Sequence, residues 1–143
     1  DGQPGKVFAT PGWRVIKDRG SLLIEPVQEA VKPLLEIKEH PYTPDFMIPR
    51  NKATACFDAD KLQHPLSLRL CRQGDSFVPF GMKGRKKVSD YLTDRKFSLL
   101  RKERQWVLCC GDDIIWLVGE RVDNRFRIDE KTRKVLVVST IDQ

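Results

Sequence analysis

Between Trp106 and Gly119 the chain reads WVLCCGDDIIWLVG, two nearly continuous apolar runs separated by Gly-Asp-Asp. A strand with one face in water alternates apolar and polar residues, so runs without alternation are expected to be buried on both faces. Gly-Asp-Asp is turn chemistry placed where it would join the two runs as a β-hairpin. The same interruption makes the stretch far too short for a transmembrane helix, which needs about 20 consecutive apolar residues.

The neighbouring patterns are consistent with a mixed fold. ACFD (55–58) and LSLRLC (66–71) read as strands, with Leu66, Leu68 and Leu70 alternating against Ser67, Arg69 and Cys71. VLVVST (135–140) supplies another strand. Val88, Tyr91 and Leu92 recur at i, i+3 and i+4 and predict an amphipathic helix of about three turns. Ser89 is its expected N-cap, Asp90 lies in its first turn, and Arg95 and Lys96 sit at the end where the helix dipole favours cations. Strands on both sides of one helix, without a repeating βαβ rhythm, point to an α+β fold, a small mixed or antiparallel sheet packed with one main helix. Residues 1–25 read as a short β-meander, with pieces at Val7–Ala9, Trp13–Ile16 and Leu22–Ile24. Five prolines at 26, 33, 41, 44 and 49 mark 26–52 as a linker, with LLEIK as a candidate strand. Residues 53–143 are the expected compact domain.

The chain has 143 residues and a net charge of +6, and the distribution of that charge says more than its size. Arg69 to Arg104 holds 11 Lys or Arg against 4 acids, and the remainder balances to within one charge. An excess concentrated in one segment is the footprint of a polyanion-binding face. Nothing in the rest of the sequence forms an enzyme's constellation. His40 and His64 each precede a proline and form no metal-binding pattern, and no GxSxG or Cys/His arrangement is present. Asp58 and Asp60 are expected to cap a turn rather than act as acid and base. Cys56, Cys71, Cys109 and Cys110 lack CxxC spacing and read as reduced core cysteines of a cytoplasmic protein. Neither a catalytic residue nor a metal ligand is assigned.

At the centre of the basic segment stands GMKGRKKVSDYLTDRKF (81–97). It fails the Walker pattern, since Gly84 is followed by Arg85 rather than by Lys and a hydroxyl residue. GMKG formally matches the GxxG that clamps nucleotide backbones, a short pattern given weight by Lys83, Arg85, Lys86 and Lys87 around it. A solvated basic turn is the alternative that local features leave open. Phe77, Phe80, Tyr91 and Phe97 flank the loop and have the chemistry to stack on bases. Their expected place is nevertheless the core, so RNA would be recognised through its backbone and shape.

Asp58 to Lys61, LSLR (66–69), GDSFVPFGMKGRKKVSDYLTDRK (74–96) and IIWLVGERVDNRFRI (114–128) together resemble the C-terminal domain of the bacterial tRNA(Ile)-lysidine synthases. GKVFAT and WRVIKDRGSLLI are similar, more loosely, to the segment that precedes that domain. The resemblance implies a fold similar to a tRNA synthetase β-subunit domain, within a cytoplasmic enzyme that uses ATP and Mg to adenylate the wobble cytidine of an isoleucine tRNA with a CAU anticodon. Free lysine then displaces AMP. The family's ATP-pyrophosphatase domain carries an SGGxDS-type loop, which this sequence lacks, so the chain is expected to be a catalytically silent portion of a longer protein with no cofactor of its own. Its implied role is to hold the acceptor stem and body of the tRNA. Carried over residue by residue, the RNA contacts are Arg72, Lys83, Lys86, Lys87 and Lys96, with Arg69, Arg85, Arg101, Arg104, Arg121 and Arg125 as further candidates. Pro79, Gly81 and Gly84 would shape the loop. The alternative is a structural module of the same enzyme, or a homodimer contact, that touches no RNA.

Overall fold

The computed structural model describes residues 31–141 and, before them, the backbone of three strands. These are β1 (Val7–Thr10), β2 (Trp13–Asp18) and β3 (Ser21–Pro26), an antiparallel meander in which β2 pairs with both neighbours. The expected meander is present, with slightly longer strands. There follow β4 (Leu34–Pro41), β5 (Thr54–Asp58), a 3-10 turn η1 (Ala59–Lys61), β6 (Leu66–Leu70), and the short β7 (Ser76–Phe77) and β8 (Lys86–Lys87). The chain continues through α1 (Val88–Asp94), α2 (Leu99–Glu103), β9 (Trp106–Cys110), β10 (Asp113–Leu117), β11 (Arg121–Val122), η2 (Asn124–Phe126) and β12 (Lys134–Ile141).

The expected hairpin is β9–β10. Its two-residue turn places Gly111 first, at a φ of +59°, the position that a type II′ turn reserves for glycine. A Cβ there would also stand 3.0 Å from the Cβ of His64. The hairpin lies at the centre of an antiparallel sheet ordered β11-β10-β9-β6. Val107 and Cys109 face a cluster made with Phe77, Val88, Tyr91, Leu92 and Phe97. Leu108 and Cys110 face the opposite cluster, with Ala55, Phe57 and Val138. Register slips between Ile114 and Trp116, so Ile115 and Trp116 both enter the second cluster and Leu117 returns to the first. One extra residue in β10 therefore resets its alternation. Helix α1 covers one face and the sheet β4-β12-β5 covers the other, which is why these runs contain no alternating polar residues. Burying one large apolar side chain is worth about 1.5–3 kcal/mol, and Trp116, Ile115, Leu117, Leu108 and Val107 are all buried here.

Three local readings change. LLEIK is a strand that extends to Pro41, and it pairs with β12 along its length, from Leu34 opposite Ile141 to Pro41 opposite Lys134. Residues 34–41 of the proline-rich stretch are thus sheet. Pro33 and Pro41 fall just before and at the end of this edge strand, where a missing N–H breaks no internal ladder. Helix α1 begins two residues earlier than expected and spans seven residues, about two turns rather than three, with Lys87 at the N-cap and no side-chain cap. Ser89 sits inside its first turn, where its Oγ accepts from Lys102 Nζ at 3.5 Å. The short α2 had no periodic signal because five residues make little more than one turn. It is capped by Ser98, whose Oγ accepts from the Arg101 N–H.

Candidate nucleic-acid interface

The basic loop is held from beneath by the segment after β10. The Phe80 N–H donates to the Val122 carbonyl at 3.0 Å, and the Met82 N–H closes a turn on Pro79 at 2.9 Å. Asn124 clamps the turn from both sides: its Oδ1 accepts from the Gly81 N–H at 3.2 Å, and its Nδ2 donates to the Met82 carbonyl at 3.1 Å. Pro79 is buried and bridges to Asp123, whose carboxylate accepts from the Val78 N–H at 2.9 Å. Gly81 adopts a φ of +87°, a conformation an L side chain strains to reach. Gly84 has no positive φ, and open space surrounds the position of its missing Cβ. The structure therefore imposes glycine at Gly81 but gives no steric reason for it at Gly84.

The candidate cations fall into two groups. Lys83, Arg85, Lys87, Arg72 and Lys96 are exposed. Arg85 donates to Ser76 Oγ at 3.1 Å, and Arg72 and Lys87 line a 460 Å³ cleft between the β6–β7 connection and the two helices, with Lys102, Asp90 and Glu103. Arg121, also exposed, reaches the Phe80 carbonyl at 3.5 Å and lies 5.7 Å from the Tyr91 ring. Arg101 stacks on Phe97 at 3.8 Å and shares a second cleft with Arg104. The remaining three candidates are engaged by carboxylates. Lys86 bonds to Asp94. Arg69 grips Asp75 with two nitrogens at 2.8 and 3.0 Å, and Arg125 grips the buried Asp123 likewise.

These pairs set the electrostatics beneath the loop. Burial pushes the Asp75 carboxyl up, but the Arg69 fork and the Arg72 N–H, 2.6 Å away, pull harder and leave it below the usual carboxylate range. Burial of the Arg69 guanidinium is likewise outweighed by its bond to Asp75, which raises its pKa. Sequence reasoning missed Asp123 and Asn124, whose spacing has no motif. It also placed Phe80 in the core, whereas Phe77, Tyr91 and Phe97 are buried and Phe80 is 51% exposed. Position explains the difference: Phe80 opens the turn at the end of a buried segment, and the three core rings lie on β7, on α1 and directly after α1.

Asp58 behaves as a capping residue, with Oδ1 accepting from the Asp60 N–H at 3.0 Å and Oδ2 from Thr132 Oγ1 at 2.9 Å. The four cysteines are free, and burial pushes the thiols of Cys56, Cys71 and Cys109 up. Among the described residues no three His, Cys, Asp or Glu side chains gather to hold a metal ion. No helix among them is long and apolar enough to cross a membrane.

Comparison with known proteins agrees with this architecture. The chain is 60% identical over 144 residues to a tRNA(Ile)-lysidine synthase of Bacteroides thetaiotaomicron, covering 98% of this chain and 34% of that protein. It is 49% identical over 152 residues to the Parabacteroides distasonis tRNA(Ile)-lysidine synthase, covering 96% of this chain and 35% of that one. The chain thus spans about a third of the length of these curated relatives. Its fold is similar to a crystal structure of a TilS C-terminal domain, with a TM-score of 0.57 at 18% identity over 97% of this chain and 93% of the other. It is also similar to an N-terminal fragment of the phenylalanyl-tRNA synthetase β-subunit from Pyrococcus horikoshii, with a TM-score of 0.52 at 16% identity over 61% of this chain and 27% of the other. The family model described as the TilS substrate C-terminal domain matches residues 66–139, which are β6 through most of β12 and include every cation discussed above, and the chain belongs to that family.

Proposed function

We propose that this chain is the tRNA-holding C-terminal portion of a cytoplasmic tRNA(Ile)-lysidine synthase, and that it grips the acceptor stem and body of an isoleucine tRNA with a CAU anticodon. The observation that carries this reading is the loop at Gly81–Arg85. The turn that opens it, from Phe80 to Met82, is pinned by Val122, Asn124 and Pro79, and the Arg85 side chain bonds to Ser76, so Lys83 and Arg85 follow a fixed support beside exposed Lys87 and Arg72. A preordered cationic surface neutralises phosphates with little further loss of conformational freedom. In the parent enzyme ATP with Mg would activate the wobble cytidine and free lysine would displace AMP. That chemistry belongs to another domain, and this portion contributes substrate affinity.

The test is the salt dependence of tRNA binding. Replacing Lys83 and Lys87 together by Ala should flatten the slope of log affinity against log salt by about 0.7–0.9 for each phosphate that the variant no longer neutralises. An unchanged slope in a folded double variant would remove this face from the interface. The exposed apolar residues of edge strand β4 and the adjoining end of β12, with Leu34 54%, Ile37 48% and Ile141 43% exposed, favour a second reading in which the module docks on protein, including another copy of itself. Sedimentation with and without tRNA separates the two.

A further inference from the structure

Beside the start of the basic loop lies a small, largely apolar notch. Phe80 forms one wall, Ile48 and Val122 contribute others, and Cys56, Arg127 and Ile128 complete a 200 Å³ recess. Phe80 and Ile48 are about half exposed, at 51% and 46%, so the recess opens to solvent. The wall is held in place. The Phe80 N–H bonds to Val122, its carbonyl accepts from Arg121, and Asn124 fixes the two residues after it. The exposed Arg127 lines the recess, its guanidinium fixed by a 2.9 Å bond to the Asn124 carbonyl, Arg121 reaches the Phe80 carbonyl, and Lys83 and Arg85 follow Phe80 along the chain.

A planar apolar wall edged by guanidinium groups fits a ligand that is flat and apolar on its faces and anionic along its chain. A nucleotide has both properties, and an aromatic side chain stacks on any base because every base presents a π-face. A base still paired within a duplex keeps its faces covered by its neighbours, so only an unpaired or terminal base could enter. We infer that the Phe80 notch binds one unpaired nucleobase next to the duplex whose phosphates contact the loop. The inference rests on the RNA reading above and deepens it: the cations would supply affinity for the backbone, and Phe80 would distinguish a strand end or unpaired nucleotide from continuous helix.

The experiment compares two RNA hairpins of equal charge, one with a single-stranded 3′ extension carrying its bases and one with an abasic extension of the same length. The wild-type protein should bind the base-bearing RNA about 10-fold more tightly, within the range that stacking of one base provides. Phe80→Ala should abolish that difference and leave the affinity for the abasic RNA and its salt slope unchanged. Phe80→Trp should preserve the difference, and its fluorescence should change only with the base-bearing RNA. Equal affinity of the wild type for both RNAs would overturn the inference while leaving the backbone reading intact. An equal loss on both RNAs in Phe80→Ala would also overturn it, by making Phe80 a support for the loop. A change in the sedimentation of Phe80→Ala without RNA would give the notch to a protein contact instead. Failure of the wild type to bind either hairpin would reject the RNA reading itself, and this inference with it.

Discussion

Asp123, with no exposed surface, holds the partly buried Arg125 through both carboxylate oxygens, with Arg125 Nε at 3.0 Å from one and a terminal nitrogen at 3.0 Å from the other. The same carboxylate accepts the N–H groups of Val78 and Arg125, so it ties the approach to the basic loop to the start of η2. Removing one partner of such a pair leaves a buried charge uncompensated, at a cost of about 3–5 kcal/mol. Arg125→Ala should therefore lower the unfolding free energy by an amount near the bottom of that range, read as a lower urea midpoint, since two N–H donors remain on Asp123. If the midpoint instead stays at the wild-type value while tRNA affinity falls, Arg125 acts on RNA and the buried pair is dispensable.

The Arg69–Asp75 pair predicts a definite pH dependence. Asp75 has a folded pKa below the ordinary value of about 3.9, so its contribution is fully present above about pH 5 and is lost as pH falls through the folded value. In Arg69→Met the fork is gone and burial of the carboxyl acts with less opposition, which raises the folded pKa. The variant should be less stable than wild type at neutral pH, and the gap should narrow on acidification. Urea unfolding measured from about pH 7 to about pH 3 checks this. A gap that stays constant across the range would mean that the lost stability comes from packing alone.

What was readable in the sequence was what local pattern determines. Absence of alternation in WVLCC and IIWLVG marked the doubly buried hairpin, and the spacing of Val88, Tyr91 and Leu92 marked the buried face of α1. The cations around Gly81–Lys87 were equally visible, because charge clustering along the chain survives folding. Their partners were not. Whether an arginine faces water or a carboxylate depends on where the fold sends each, and Arg69, Lys86 and Arg125 look no different in sequence from Arg72 or Lys83. The pairing of β4 with β12, across most of the domain's length, likewise has no local signature. Phe80 was assigned with three core aromatics because composition cannot show which ring occupies a turn.

Lys86 illustrates how such a partner changes a functional expectation. Its ammonium bonds to Asp94 on α1, so part of its charge is already neutralised when RNA arrives. Asp94 itself is largely exposed, and an exposed ion pair is worth only about 0–1 kcal/mol, so removing it should cost little stability. Asp94→Asn should then raise tRNA affinity at low salt and steepen the salt slope by up to about 0.9, the effect of neutralising one further phosphate. Filter binding across a salt series would show it. A decrease in affinity would mean that Asp94 orients Lys86 productively and that the pair acts as a unit.

Lys96 offers the sharpest separation of stability from function. It has a φ of 66°, and it is the one non-glycine residue among the described residues with a positive φ. It occupies the position after the α1 C-cap where glycine is the usual occupant: its N–H donates to the Thr93 carbonyl, and the Phe97 N–H donates to the Leu92 carbonyl. This paired pattern is the Schellman termination, completed by burial of Leu92 and Phe97 in one cluster. A side chain in that conformation costs about 1–2 kcal/mol, partly offset in a glycine variant by the greater freedom of its unfolded chain. Lys96→Gly should thus raise stability by about 1 kcal/mol. If the exposed ammonium also contacts phosphate, the same variant should bind tRNA more weakly with a flatter salt slope, a loss of affinity in a protein that has become more stable. Calorimetry and salt-dependent binding on the one variant give both answers. Greater stability with unchanged binding would remove Lys96 from the interface, and lower stability would mean that the lysine side chain packs on α1 strongly enough to outweigh its backbone strain.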